Sequence, residues 1–143
     1  MKLGLGLYRH QLNPEHYRFA KQCGCTHLVV HLVDYFKSSR SNQPGDQPVG
    51  DDTGWGYAGD PDKLWTFEEL AALREEINAA GLELEAIENF DPAHWHDVLL
   101  DGPKKEQQLE SVKTIIRHLG RVGIPIMGYN FSIAGVAGRV KGN

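Results

Sequence analysis

Apolar and polar positions follow two different periods along the chain. Short apolar runs predict buried strands, and longer segments with an apolar residue every three or four positions predict helices with one buried face. The predicted strands cover 3–8, 26–32, 82–88 and 123–131, and the predicted helices begin near Asn13, Thr66 and Pro103. The resulting order, β-α-β-α-β-α-β, is typical of a parallel sheet with right-handed crossovers.

Local signals set the expected helix boundaries. Asn13 followed by Pro14 is a favoured helix start, and Thr66 with Glu69 forms a capping box. Gly24 and Gly81 are expected to end the first two helices. The residues predicted to face inward are Tyr17, Phe19 and Ala20 in the first helix, Phe67, Leu70, Leu73 and Ile77 in the second, and Leu109, Val112, Ile115, Ile116 and Leu119 in the third.

The last predicted strand, from Gly123 to Phe131, is an apolar run that ends in Tyr129 and Asn130. Such a run suits a parallel strand that is buried on both faces. The polar pair comes where the strand gives way to a loop. In parallel α/β folds, ligands bind at that end of the strands.

Two folds share this element order, a doubly wound sheet and half of a (β/α)₈ TIM barrel. No Gly-x-Gly-x-x-Gly follows the first strand and no Walker motif occurs, which disfavours nucleotide binding. A complete barrel needs about 250 residues. The 143 residues would then be one domain, 1–143, forming the N-terminal half with about four strands and three helices. Residues 33–64 are predicted to form a long loop on the active-site side.

Composition narrows the class of protein. The formal net charge is −4 and no basic run is present, so no nucleic-acid partner is expected. No apolar stretch approaches the roughly 20 residues that cross a bilayer, and no signal peptide is evident, so a cytoplasmic location without membrane association is expected. Cys23 and Cys25 are expected to be small packing residues rather than a disulfide or a metal motif.

Chemistry-bearing side chains gather where the parallel strands are predicted to end. They are Tyr8, Arg9, His10, His31, Glu88, Asn89, Tyr129 and Asn130. Imidazole, carboxylate, guanidinium, amide and phenol groups together suit a small sugar acid, because hydroxyls need donors and acceptors and a carboxylate favours arginine. Glu88 is the sharpest signal, because Leu82, Leu84 and Ala86 are predicted to share its face and a buried carboxylate needs a partner or a role.

Simpler interpretations stay open for these residues. Glu88 could form a structural salt bridge, His31 could be a core histidine, and His10 could lie on the surface. Tyr129 and Asn130 could merely cap a loop. His94 and His96 flank Trp95; metal binding by two histidines without a third ligand is the weaker hypothesis, and a substrate-facing lid or a loop-ordering role is favoured.

Several motifs together resemble the mannonate dehydratase family. These are Leu64-Trp65-Thr66-Phe67-Glu68-Glu69, Gly81-Leu82 leading to Ile87-Glu88, Pro92-Ala93-His94, and Gly123-Ile124 leading to Tyr129-Asn130-Phe131. The resemblance spans essentially the whole chain. It implies a xylose isomerase-like TIM barrel that uses Mn²⁺ or Fe²⁺ and dehydrates D-mannonate to 2-dehydro-3-deoxy-D-gluconate in hexuronate breakdown.

The resemblance also implies which residues line the site. It carries over Glu88, His94, Tyr129 and Asn130, with Arg139 in the loop after Tyr-Asn-Phe, and leaves the catalytic residues unassigned. Many members have His-His where this chain has Val33-Asp34. The family's metal ligands lie on later strands, so no complete metal site is expected from this chain alone.

Partners and alternatives follow from the half-barrel prediction. Open strand edges and an open inner face call for a second half of the barrel, in the same or a nicked chain, and for a homo-oligomer. The alternatives are a sugar isomerase or epimerase of the same superfamily, or an inactive half-barrel that only binds or dimerises. Arg9 and Arg139 discriminate between the enzymes, because only a sugar-acid substrate requires an arginine clamp.

Overall fold

A computed structural model of the chain describes residues 1–33 and 62–131. The elements are β1 (Gly4–Tyr8), a 3₁₀ turn (Arg9–Gln11), α1 (Pro14–Gln22), β2 (His27–His31), α2 (Phe67–Ala79), β3 (Glu83–Glu88), a 3₁₀ turn (Pro92–His94), α3 (His96–Leu100), α4 (Lys105–Val122) and β4 (Ile126–Gly128). The four strands are parallel, in the sheet order β1-β2-β3-β4. The predicted parallel α/β fold is confirmed. Most of the predicted 33–64 loop lies outside the described residues.

The hydrophobic core lies on one face of the sheet. Leu7, Leu28, Val30 and Ile87 point from the strands toward the helices, and each is buried. The helices add Tyr17, Ala20, Leu70, Ile77, Ile115 and Leu119 to the same cluster. The other face carries Gly4, Gly6 and Ile126, which are exposed in the described structure. The sheet therefore has one packed face and one open face.

The predicted helix caps are present. The Asn13 side chain accepts a hydrogen bond from the His16 backbone N–H at 3.2 Å. Thr66 Oγ1 accepts from the Glu69 N–H at 3.1 Å, and Glu69 Oε2 accepts from the Thr66 N–H at 3.0 Å. Gly24 and Gly81 follow the first two helices with φ of +81° and +75°, a conformation that glycine adopts without a Cβ clash.

Several boundary and burial predictions are wrong. Phe19 and Ile116 are 53% and 49% exposed, because they lie at the margins of their apolar stripes rather than against the core. The chain between β3 and α4 was expected to be irregular and instead contains α3, and α4 begins two residues after Pro103.

The strand predicted over 123–131 is also shorter and less buried than expected. Only Ile126–Gly128 forms a strand. Gly123 ends α4 with φ of +82°, and Ile124 packs into the core before the strand begins. Ile126 is 48% exposed because its side chain lies on the open face of the sheet, so the expectation of burial on both faces is wrong.

A shift of register between β2 and β3 changes the face on which Glu88 lies. Leu28 pairs with Leu84, whereas the next residue, Val29, pairs with Ala86. Paired residues on neighbouring parallel strands point to the same side, so Leu84 faces the core while Ala86 and Glu88 face the open side. The prediction that Leu84 and Glu88 share a face is therefore wrong. The Glu88 side chain is 46% exposed rather than buried.

The bulge also explains the environment of Glu85. Its carboxylate accepts a hydrogen bond from Lys2 Nζ at 2.7 Å and lies 3.6 Å from His27 Nε2. Glu85 therefore belongs to a polar group with Lys2 and His27 at the amino end of the strands, opposite the end at which Glu88 lies.

Two findings bear on the class of protein. Within the described ranges, no helix combines the length and the apolar character that crossing a membrane requires. Cys25 is buried in the core and Cys23 is exposed, and neither forms a disulfide. The packing role is thus confirmed for Cys25.

The Thr66 cap provides a test of the fold. We expect Thr66→Ala to lower the free energy of unfolding by about 1 kcal/mol, because the Glu69 N–H loses its acceptor. Thr66→Ser keeps the hydroxyl, so its free energy of unfolding, measured by urea titration, should stay close to that of the wild type. Equal losses for the two variants would contradict a capping role for Thr66.

Candidate functional site

The final residues of the four strands form one row across the open face. Tyr8 pairs with His31 in the β1–β2 register, and Glu88 pairs with Gly128 in the β3–β4 register. His31 Nε2 lies 3.4 Å from Glu88 Oε2, which joins the two halves of the row. The predicted meeting of Tyr8, His31 and Glu88 at the carboxyl ends of the strands is confirmed.

Aromatic contacts hold the imidazole of His31 in place on its other side. The rings of Tyr8 and His31 have centroids 4.9 Å apart and are tilted by 36°. The ring of His10 stacks on Tyr8 with centroids 6.2 Å apart. His31 thus lies between a phenol and a carboxylate, and His10 lies exposed at the end of the row.

Burial and the Glu88 carboxylate act on His31 in opposite directions. Removal of the imidazole from water lowers the pKa of His31, and the negative charge of Glu88 raises the pKa by a smaller amount. The net pKa lies below its ordinary value of 6.5. A neutral imidazole next to a carboxylate can exchange a proton or bind a hydroxyl as either donor or acceptor.

A depression of about 390 Å³ opens next to Glu88. Val29, Ile126, Gly128, Asn89, Tyr129 and Asn130 contribute to its wall. This volume lies within the range of about 300–1,000 Å³ that is usual for small-molecule sites. The depression places predicted site residues Tyr129 and Asn130 beside Glu88, and both are exposed.

Asn89 has an unusual backbone at this site. It is buried, with 5% of its surface exposed, and its φ is +67°, in the left-handed region that most residues avoid. Its backbone N–H donates to the Gly128 carbonyl at 2.8 Å, so it continues the β3–β4 pairing beyond Glu88. The sequence places Asn89 at the strand end, and asparagine tolerates this conformation better than most residues.

Arg9 and Arg139 were both predicted to contact a substrate. Arg9 is exposed, and its Nη1 donates to the Leu32 carbonyl at 3.4 Å, which places the guanidinium across the ends of β1 and β2. Arg139 lies outside the described residues. Their role as a carboxylate clamp stays a prediction.

Aromatic side chains connect the loops that follow β3 and β4. We define the aromatic cluster as Trp65, Phe90, Trp95, Tyr129 and Phe131. The rings of Phe131 and Trp95 are stacked, with centroids 5.0 Å apart and planes 9° apart. The ring centroids of Tyr129 and Phe131 are 5.2 Å apart. Trp95 Nε1 donates to the Phe90 carbonyl at 3.1 Å. The cluster holds the Tyr129-Asn130 segment against the loop after β3.

The loop that carries His94 is tied to α4 by Gln108. This side chain is 3% exposed. Its Nε2 donates to the Ala93 carbonyl at 3.0 Å, and its Oε1 accepts from the Asp97 N–H at 2.8 Å. Gln108 is not among the residues predicted from the sequence, although its position, seven residues before Ile115, continues the buried stripe of α4 and was the available signal.

The two histidines of this loop differ in environment. His94 is buried, with 2% of its surface exposed, at the carboxyl end of β3. His96 Nδ1 donates to the Pro92 carbonyl at 2.9 Å, which matches the predicted loop-ordering role. The lining role of His94 toward a substrate stays a prediction.

The described residues do not by themselves fit a metal ion. Across 1–33 and 62–131, no three His, Cys, Asp or Glu side chains converge in a way that could hold one. His31 and Glu88 offer two donor atoms at the strand ends.

Comparisons with known proteins agree on one family. The sequence model of the family described as D-mannonate dehydratase (UxuA) matches residues 29–138. Mannonate dehydratases of Thermotoga maritima and Streptococcus equi subsp. zooepidemicus are 38% and 37% identical over 69 residues, which is 48% of this chain. The crystal structure of mannonate dehydratase from Streptococcus suis serotype 2 is similar with a TM-score of 0.59 and 25% identity.

These matches cover a limited part of each relative. The aligned region spans 19% of the Thermotoga maritima protein and 18% of the Streptococcus equi protein. The structural match covers 92% of this chain and 30% of the Streptococcus suis chain. Nearly all of this chain therefore has a structural counterpart in a protein about three times as long.

The His31–Glu88 pair can be tested by titration. We expect Glu88→Gln to lower the pKa of His31 further, because the negative charge of Glu88 raises that pKa. The folded state then holds the proton more weakly than the unfolded chain, so stability is lost as the pH falls below 6.5. NMR titration of the His31 ring would measure its pKa in the wild type and in the variant. Glu85→Gln, which removes the carboxylate beside His27, is the matched control and should leave the pKa of His31 unchanged.

The backbone of Asn89 gives a second test. We expect Asn89→Ala to be about 1 kcal/mol less stable than Asn89→Gly, because alanine is disfavoured at positive φ. Both variants lose the amide, so their difference in urea unfolding isolates the backbone cost. Asp101, exposed with φ of +54°, is the matched position, and its Ala and Gly variants should differ in the same direction. Equal stability of the two Asn89 variants would contradict the expected cost of a side chain at positive φ.

Proposed function

The chain belongs to the D-mannonate dehydratase family, and we propose that the protein carrying it is a hydro-lyase that converts D-mannonate to 2-dehydro-3-deoxy-D-gluconate. In this reaction a proton leaves C2, next to the carboxylate, and the hydroxyl at C3 leaves as water. The enol that results becomes the 2-keto product. We place this reaction in hexuronate breakdown in the cytoplasm.

The observation that carries the proposal is the family match over residues 29–138, which includes the carboxyl end of β2 and the whole of β3 and β4. The row of Tyr8, His31 and Glu88 supports it independently. A polyhydroxylated acid needs groups that both donate and accept hydrogen bonds, and these side chains provide both at the end of the sheet where α/β enzymes bind ligands.

Each described group has a proposed task toward the substrate. His31 and Glu88 bind adjacent hydroxyls, and their shared position allows one of them to hold a proton during the reaction. Arg9 binds the carboxylate, since one of its five N–H donors reaches the Leu32 carbonyl and the fork suits a carboxylate. Tyr129 and Asn130 contact hydroxyls from the β4 side of the depression.

The family resemblance adds two expectations that extend beyond the described residues. We propose that the active protein uses Mn²⁺ or Fe²⁺, held by ligands on other strands. We also propose that a second part of the barrel, from the same or a nicked chain, and a homo-oligomer contact cover the open face and the exposed Ile126.

A dehydration assay tests the proposed function. The intact mass of every polypeptide in the purified protein is measured first, so that the assayed species is known. With D-mannonate and Mn²⁺, we expect 2-dehydro-3-deoxy-D-gluconate to accumulate when a species carrying this sequence includes the rest of the barrel. Absence of this product from such a species would reject the dehydratase proposal.

Arg9 separates a sugar-acid enzyme from an isomerase of the same fold. We expect Arg9→Gln to reduce kcat/KM for D-mannonate by at least about 100-fold, because two charge-assisted hydrogen bonds to the carboxylate are lost. Arg18→Gln, on the exposed face of α1, is the control and should retain activity. If the wild-type protein does not dehydrate D-mannonate but does isomerise an aldose, the isomerase alternative is favoured.

A further inference from the structure

We propose that Gly128 is a specificity-determining position, at which the missing side chain keeps open the space beside Glu88 for the carbon chain of a sugar acid. The proposal rests on the proposed function, because it names how that same site admits its substrate. It concerns the one member of the strand-end row that contributes no side chain.

The register places Gly128 directly beside Glu88, the partner of His31. Glu88 and Gly128 are partners in the β3–β4 pairing, and Glu88 contacts His31 on its other side. Tyr8, His31 and Glu88 all carry large side chains at equivalent positions. Both Glu88 and Gly128 line the depression of about 390 Å³.

The fold itself does not require glycine at this position. The positive-φ glycines in the described ranges are Gly24, Gly81 and Gly123, so Gly128 has a backbone that other residues adopt. A Cβ built at Gly128 would lie 3.6 Å from Glu88 Cγ and 4.0 Å from the Ile87 carbonyl, which are ordinary van der Waals distances. Glycine offers a strand no side chain to pack, and close approach of a ligand is one reason for its presence.

Other glycines show what a structural requirement looks like. A Cβ at Gly102 would overlap the carboxylate of Asp97, which accepts from the Lys104 N–H at 2.8 Å. Gly123 combines a positive φ with a contact to Arg74. Gly128 has neither feature, so its lack of a side chain matters for the open side of the sheet rather than for packing.

A methyl group at position 128 would contact Glu88 Cγ at 3.6 Å, the carbon next to the carboxyl group, and would narrow the depression on that side. The proton on C2 has to come within hydrogen-bond reach of a base, and a displacement of about 1 Å can cost about 100-fold in rate. A difference of one methylene in a fitted pocket typically changes kcat/KM by about 10- to 200-fold. A small change at this position is therefore expected to have a large effect on the substrate and a small effect on the fold.

The test compares Gly128→Ala and Gly128→Val with the wild type in the D-mannonate assay with Mn²⁺. We expect Gly128→Ala to keep its thermal unfolding midpoint and to lower kcat/KM at least tenfold. Gly128→Val should lose measurable turnover and measurable D-mannonate binding by calorimetry. Gly6→Ala is the matched control, because Gly6 lies on the same face of β1, three strands away, and a Cβ there meets nothing within 4 Å. It should retain wild-type KM.

The outcomes separate this proposal from the proposed function. Wild-type kcat/KM in Gly128→Ala, in a protein that dehydrates D-mannonate, would overturn the role of Gly128 and leave the dehydratase function intact. Unfolding of Gly128→Ala would overturn it too, because the geometry predicts that the fold accepts a methyl group. A wild-type protein that neither converts nor binds D-mannonate would reject both proposals, whereas binding without conversion, weakened by Gly128→Ala, would reject only the reaction.

Discussion

The register between β2 and β3 is the constraint on which the candidate site depends. Side chains on a strand alternate between the two faces, so a slip by one residue would move His31 or Glu88 to the opposite face. The bulge at Glu85 makes this adjustment after the first two paired residues. Leu84 is thereby kept in the core, and Glu88 is brought to the open face beside His31. Backbone hydrogen bonding and the burial of Leu84 thus place the Glu88 carboxylate next to the His31 imidazole.

The loops beyond the strands are held by a different set of interactions. The aromatic cluster joins the segment after β4 to the loop after β3, through the stacked rings of Phe131 and Trp95. The buried side chain of Gln108 then ties that loop to α4 through two hydrogen bonds, one with the Ala93 carbonyl and one with the Asp97 N–H. A buried amide left without partners would be costly, so the loop conformation and the position of α4 stabilise each other. His94, Tyr129 and Asn130 are therefore carried on loops with defined anchors.

The open face relates the structure to its family. The structural match to a mannonate dehydratase covers 92% of this chain and 30% of the larger protein, with a TM-score of 0.59. An eight-stranded barrel closes its sheet and so removes both edges. In the described residues β1 and β4 are edges and Ile126 is exposed, which is the geometry of a barrel segment rather than of a sheet covered on both faces. We accordingly propose that the row of strand ends is one part of a binding site and that the remaining groups come from elsewhere in the barrel.

Local signals in the sequence were sufficient for much of the fold and part of the site. The caps at Asn13 and Thr66, the glycine at position 81 and the alternation of strands and helices depend on neighbouring residues, and all are confirmed. The meeting of Tyr8, His31 and Glu88 also followed, because parallel strands bring their carboxyl ends to one edge. The bulge, the burial of Gln108, the Phe131–Trp95 stack and the backbone of Asn89 did not follow. Each depends on contacts between segments distant in sequence, and only tertiary packing decides which of those contacts form.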